Sequence, residues 1–294
     1  MKLSGRNAGL VLGGTAAAAA IVAACLPRIP QDPGYHLFAD ARTVLGVPGG
    51  LNVISNVAFA LVALAGLRLL VRGGAVVQEP RERWAWIVFF VGVGLTSLGS
   101  AWYHLSPSND TLLWDRLPMA VAFLALLSAT ISERVDPKVG ARLLGPMVLA
   151  GIGGVLYWTA TERAGAGDLR PYVLVQFFPL IAIPLLLLVG RPRYSHGWLY
   201  LVVLGLYALA KVAEVDDAAI LRATGSVSGH TLKHLLAAAS VGMLSAMLAR
   251  RRSLTLSSPE VGDERATLRG VVGESLTVPA VVGERARCEV REGE

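Results

Sequence analysis

Five side chains that could do chemistry stand at or near the ends of strongly apolar segments. GLTSLGSAWYH carries Ser100 and His104, LLWDRLPM carries Asp115, and GHTLKHLLAA carries His230 and His234. Ionisable groups at membrane depth are costly, so they read first as functional groups whose partners must be found. His230 and His234 are four residues apart, which puts both rings on one face of a helix. Ser100 and His104 repeat that spacing on another segment. Three imidazoles with a fourth position left to water make an open zinc site, and a nearby carboxylate gives that water a proton acceptor.

The elements that must position these groups are apolar runs at roughly 8–26, 50–71, 85–104, 112–132, 140–161, 170–189, 197–213 and 229–249. Each approaches the about 20 residues that a helix needs to cross a bilayer. The whole chain agrees: 54% of its 294 residues are hydrophobic, 16% are charged and mean hydropathy is +0.56. The expected fold is all-α, a polytopic membrane protein with a seven-transmembrane helical bundle at 50–249. One extra N-terminal apolar helix (1–27) and an outer loop (28–49) precede it. A polar tail, 250–294, follows and is expected to be disordered and cytoplasmic. The links between runs are short and carry Gly, Pro, Asp or Asn, which end helices and make consecutive spans antiparallel neighbours. The N-terminal segment is expected to remain as a helix. Its basic start and its Val22-Ala23-Ala24-Cys25 box leave a cleaved signal or lipoprotein segment as the alternative.

A net charge of +6 could indicate a nucleic-acid binder, but the basic residues gather in short loops and the tail. No nucleic-acid partner is expected. Lys2, Arg6, Arg72, Arg81, Arg83, Arg134, Lys138, Arg142, Arg191, Arg193 and Arg250 to Arg252 all fall on one side, expected to be the cytoplasm. His104, Asp115, His230 and His234 then share one depth toward the outer face. Cys25 and Cys288 fall on opposite sides, so neither a disulfide nor a cysteine metal site is expected.

GVGLTSLGSAWYHLSPSNDTLLWDRLPM resembles the alkaline ceramidase family of intramembrane hydrolases, with its G-S-x-x-x-H and D-E-x-P-M patterns. The last segment resembles that family's H-x-x-x-H helix, and LNVISNVAFALVALAGL its first helix with an N-x-x-S-N signature. The resemblance covers about residues 35–249. It implies a Zn2+ cofactor held by His104, His230 and His234, with Ser100 and Asp115 against the reacting water. It further implies cleavage of the amide bond of a ceramide-like membrane lipid to a sphingoid-type amine and a fatty acid, and a bacterial member resident in the inner or plasma membrane. Two departures stand out. Arg116 replaces the acid of D-E-x-P-M, and Gly49 replaces a glutamate of the eukaryotic members' Ca2+ site. Asp40 remains without the other acids, which counts against calcium.

Plainer readings stand beside these. Asp115 could be a helix-start charge favoured by the macrodipole, and Ser100 ordinary helix-packing glue. Lys211 and Glu214 read as an ion pair or a snorkelling lysine. Lys233 is expected to point off the metal face. Tyr103 and Tyr157 read as interface anchors. Two other function classes stay open: a receptor-like signalling protein of the same fold with a structural zinc, and a haem-binding electron carrier using paired histidines. Nothing in the sequence fixes the oligomeric state.

Overall fold

The computed structural model describes residues 2–254, and every described element is helical apart from two isolated bridges. The long elements are α1 (Gly5–Cys25), α2 (Gly50–Val71), α3 (Glu82–Leu105), α4 (Asn109–Arg134), α5 (Pro137–Arg163) and α6 (Arg170–Val189). They are followed by α7 (Leu199–Val215), a short α8 (Asp217–Thr224) and α9 (Gly229–Arg250). All but α7 and α8 are long and apolar enough to cross a membrane, which makes this an integral membrane protein. With 17 residues α7 is shorter, roughly 26 Å at the α-helical rise. The expected tail from residue 255 onward, Cys288 included, lies outside the described residues.

Local chemistry explains where the helices start. Ser108 accepts from the Thr111 amide at 3.2 Å while Thr111 Oγ1 accepts from the Ser108 amide at 3.0 Å, a closed capping box at the head of α4. Asp136 caps α5 by accepting from the Lys138 and Val139 amides, with Pro137 at the first helical position. Ser228 caps α9 by accepting from the Thr231 amide at 3.1 Å. The segment between α7 and α9, which the sequence suggests is a link, contains α8, and that helix is closed by Gly225 in the left-handed region (φ 67°).

The most buried span is α4, flanked by α3 on one side and α5 on the other. Far from the histidines its end is closed by polar contacts. Glu133 pairs with Arg251, and the Tyr200 hydroxyl donates to Glu133 at 3.2 Å. At the opposite end, residues 28–49 fold back over the helix termini. Arg42 clasps Asp40 through two 2.8 Å hydrogen bonds and donates to the Ser226 carbonyl at 2.5 Å. That fork holds the Asp40 carboxyl below its usual range. It also occupies the one acid remaining from the implied calcium site.

Candidate metal centre

Two close helix contacts set the geometry. A Cβ on Gly99 would lie 1.9 Å from the Trp114 carbonyl oxygen, so only glycine lets α3 approach the start of α4 this closely. A Cβ on Gly229 would lie 2.0 Å from the Ala213 carbonyl oxygen, which fixes the start of α9 against the end of α7. With the capped turn at Ser108, these contacts bring the last turn of α3 and the first turns of α4 and α9 together. His104, Asp115, His230 and His234 ride on those turns.

The three histidines converge. Each offers a ring nitrogen within 4.8 Å of the other two, and all three side chains are buried. His104 Nε2 and His230 Nε2 are 3.2 Å apart, close to the about 3.3 Å between two nitrogens bound tetrahedrally to one zinc ion. Ring centroids stand 4.8 to 5.0 Å apart in all three pairs.

The contacts behind the rings fit ligation. Ser55 Oγ lies 2.7 Å from His234 Nδ1 and 3.0 Å from the Asn52 carbonyl oxygen; with its hydrogen on that carbonyl it accepts the proton on His234 Nδ1. His234 Nε2 is left as a free lone pair facing the other imidazoles. The His230 amide donates to Asp217 Oδ1 at 2.7 Å, and Asp217 Oδ2 accepts from the Ala39 amide at 2.9 Å. Phe38, carried in by the folded-back loop, packs edge-on against His104 (4.6 Å) and His230 (4.5 Å) and covers the cluster. His104 Nδ1 is buried without a hydrogen-bond partner. The residues present therefore fit a buried cation with three neutral imidazole ligands.

Asn52 organises the second layer. Its Oδ1 accepts from Thr231 Oγ1 at 2.8 Å and Ser228 Oγ at 3.3 Å, and its Nδ2 donates to the Asp40 carbonyl at 3.3 Å. Asn56 contributes through its carbonyl, which accepts from Ser97 Oγ at 2.8 Å. Asn52 and Ser55 thus support α9 while Asn56 ties α2 to α3, roles that their sequence pattern alone does not specify.

Ser100 and Asp115 are buried and line one cavity together with His234. From there the cavity runs along α3 to Phe89, along α4 to Leu126 and along α9 to Leu244, ten or eleven residues on each helix. That is roughly 16 Å of depth at the helical rise, walled by apolar side chains. Arg116 also faces it. Its guanidinium lies over the rings of Trp158 (4.3 Å), Tyr172 (4.7 Å) and Tyr35 (5.4 Å), and Nη2 donates to Gln31 Oε1 at 2.7 Å. Aromatic faces stabilise a cation by roughly 0.5–2 kcal/mol each, against an effective burial penalty of several kcal/mol.

Two expectations need correcting. Lys233 does not point away: its Nζ donates to Glu214 at 2.6 Å, sits 3.4 Å from His230 Nε2 and lines the cavity with Lys211. The free rotation of a long side chain lets it reach Glu214 on α7 from a position off the histidine face. Tyr103 is fully buried, not at an interface; its hydroxyl donates to His36 Nδ1 at 3.0 Å, while His36 Nε2 donates to Asn109 Oδ1 at 3.0 Å. The Lys211–Glu214 ion pair forms as expected. Tyr157 is part exposed, with its hydroxyl on Asp168.

The chain matches no family model, no curated protein and no solved structure.

Proposed function

We propose that this protein is a zinc-dependent intramembrane hydrolase of the alkaline ceramidase type, cleaving a lipid amide to a fatty acid and an amine. The observation that carries the reading is a cluster of three buried imidazoles of which His234 also lines a deep apolar cavity beside the buried Asp115. His104, His230 and His234 would hold the ion. A zinc ion supplies a Lewis acid for the amide carbonyl and brings the pKa of water in its open position toward about 7. Asp115 takes the proton of the attacking water and returns it to the departing nitrogen, because an amine anion leaves very poorly. The Ser100 hydroxyl donates to the oxygen on which negative charge develops. The apolar walls between Phe89, Leu126 and Leu244 receive the acyl chain, and Phe38 shields the reacting atoms from bulk water.

The convergence of three rings on one point favours a small ion over a porphyrin, which needs its axial ligands on opposite faces of a plane. A receptor-like protein with a structural zinc would keep the ion and turn nothing over. The clustering of basic residues in one set of short loops supports an orientation with the histidine end on the outer side and the chain after Arg252 in the cytoplasm; the membrane in this reading is a bacterial inner or plasma membrane. A screen of lipid amides with the purified full chain, read as free fatty acid by mass spectrometry, tests the reading. Release that disappears with a zinc chelator and returns with zinc is expected. Zinc retained with no lipid amide cleaved would overturn hydrolysis and leave the receptor-like alternative.

A further inference from the structure

We propose that the lipid taken by this cavity carries an anionic group, a carboxylate or a phosphate, on its amine half, and that Arg116 binds it. The inference builds on the lipid-amide reading above and narrows its substrate class. Arg116 is only 5% exposed and stands next to Asp115 on the cavity wall. Among the described residues it forms no ion pair. Its Nη1 is buried with no hydrogen-bond partner.

Arg251 has Glu133, Arg170 has Asp168, and Lys233 and Lys211 share Glu214. Among the described residues Arg134, at the far end of α4 and away from this cavity, is another buried arginine without an ion pair. Arg116 has only aromatic faces and one amide oxygen; that oxygen accepts from Nη2, and Nη1 is left buried and unpartnered on a side chain that lines the cavity. Counting all charged groups on the cavity wall, three cations (Arg116, Lys211, Lys233) face two acids (Asp115, Glu214). The wall is therefore one negative charge short when empty of ligand. A guanidinium held flat by stacked rings presents its free N–H groups in the plane that carboxylate and phosphate oxygens match. A neutral lipid amide would leave that group unpaired.

Position assigns the anion to the amine half. The acyl chain leaves the reacting centre along α3, α4 and α9 toward Phe89, Leu126 and Leu244. Arg116 lies at the opposite end, beside Asp115, which delivers the proton to the leaving nitrogen.

The test compares three lipids that share one acyl chain: N-palmitoylglycine, O-phosphorylated N-palmitoylethanolamine and neutral N-palmitoylethanolamine. Binding to the full chain in zwitterionic nanodiscs is read within seconds as tryptophan quenching, since Trp158 stacks on Arg116. At least one anionic lipid is expected to bind about 10- to 100-fold tighter than the neutral one, the span of a charged hydrogen bond; which one does so separates carboxylate from phosphate. Arg116→Gln should erase the difference and Arg116→Lys keep part of it. Equal binding of all three lipids by wild type, no quenching by either anionic lipid, or a preference that survives in folded Arg116→Gln would each overturn the proposal. The wild-type comparison decides even if Arg116→Gln does not fold. Preference without cleavage removes the hydrolase reading alone; cleavage without preference removes this inference alone.

Discussion

The Ser55 hydroxyl stands 2.7 Å from His234 Nδ1 and 3.0 Å from the Asn52 carbonyl oxygen. With its hydrogen on that carbonyl, it accepts the proton of the ring. The ring is thereby held with Nε2 unprotonated and turned toward His104 and His230. Outer contacts of this kind typically change metal affinity about 10- to 100-fold when removed. Ser55→Ala is expected to weaken zinc binding by that factor in competition with a chelator, with the fold intact. An unchanged affinity would mean that the hydroxyl only fills space.

Asp115 should matter for turnover and not for metal. Asp115→Asn keeps the shape and a hydrogen-bonding group but removes the proton acceptor, and loss of general acid–base catalysis costs on the order of 100- to 10,000-fold in rate. Zinc content and fatty-acid release measured on one preparation separate the roles. Full zinc with turnover reduced by that factor is expected. Turnover near the wild-type rate would reduce Asp115 to a helix-start charge, and loss of zinc would move it into the metal shell.

Much of the bundle was legible in the sequence because hydropathy reports spans directly. Runs such as 50–71 and 170–189 coincide with α2 and α6, and the others differ from their helices by a few residues at the ends. The histidines were legible for a related reason: polar groups at a common depth in apolar helices have few places to go. What lay hidden depends on contacts far apart in sequence. Ser55 meets His234 across 179 positions, and Asp217 meets the His230 amide from a helix too short and polar to stand out. Phe38 sits in a loop with no periodic pattern, so nothing local announces that it covers the site. Lys233 was misread because helix-face geometry gives the direction of Cβ, not where a long side chain ends, and Tyr103 because a tyrosine near a span end suits a membrane interface as well as a buried hydrogen bond.

The contact between α3 and α4 has no slack. A methyl at residue 99 would overlap the Trp114 carbonyl oxygen, and overpacking a close contact typically costs about 1–3 kcal/mol or more. Gly99→Ala is expected to lower the melting temperature of the purified protein and, because His104 is five residues further along α3, to lower zinc content as well. A variant with wild-type melting and zinc content would show that the helices can part freely.

Acid should loosen the histidine end of the bundle before its core. Arg170 grips Asp168 through hydrogen bonds of 2.8 and 2.7 Å and holds its carboxyl down to about 2, below the ordinary 3.8. A depressed carboxyl contributes stability that is fully present above its unfolded value and is lost as pH falls through the folded one. The Asp168 contribution should therefore fade between about 3.8 and about 2. Melting curves of wild type and Asp168→Asn taken down through that window should converge. Curves that stay equally far apart at pH 5 and pH 2 would assign the stabilisation to something other than this charge.

The most direct measurement is elemental analysis of the purified full chain beside His104→Ala, His230→Ala and His234→Ala, each checked for a wild-type melting profile in the presence of excess zinc. About one zinc per chain in wild type and a steep loss in every variant is expected from three ligands on one ion. Full zinc occupancy in His234→Ala, or a wild-type protein that carries no zinc after purification and takes none up, would contradict the metal centre on which the proposed chemistry depends.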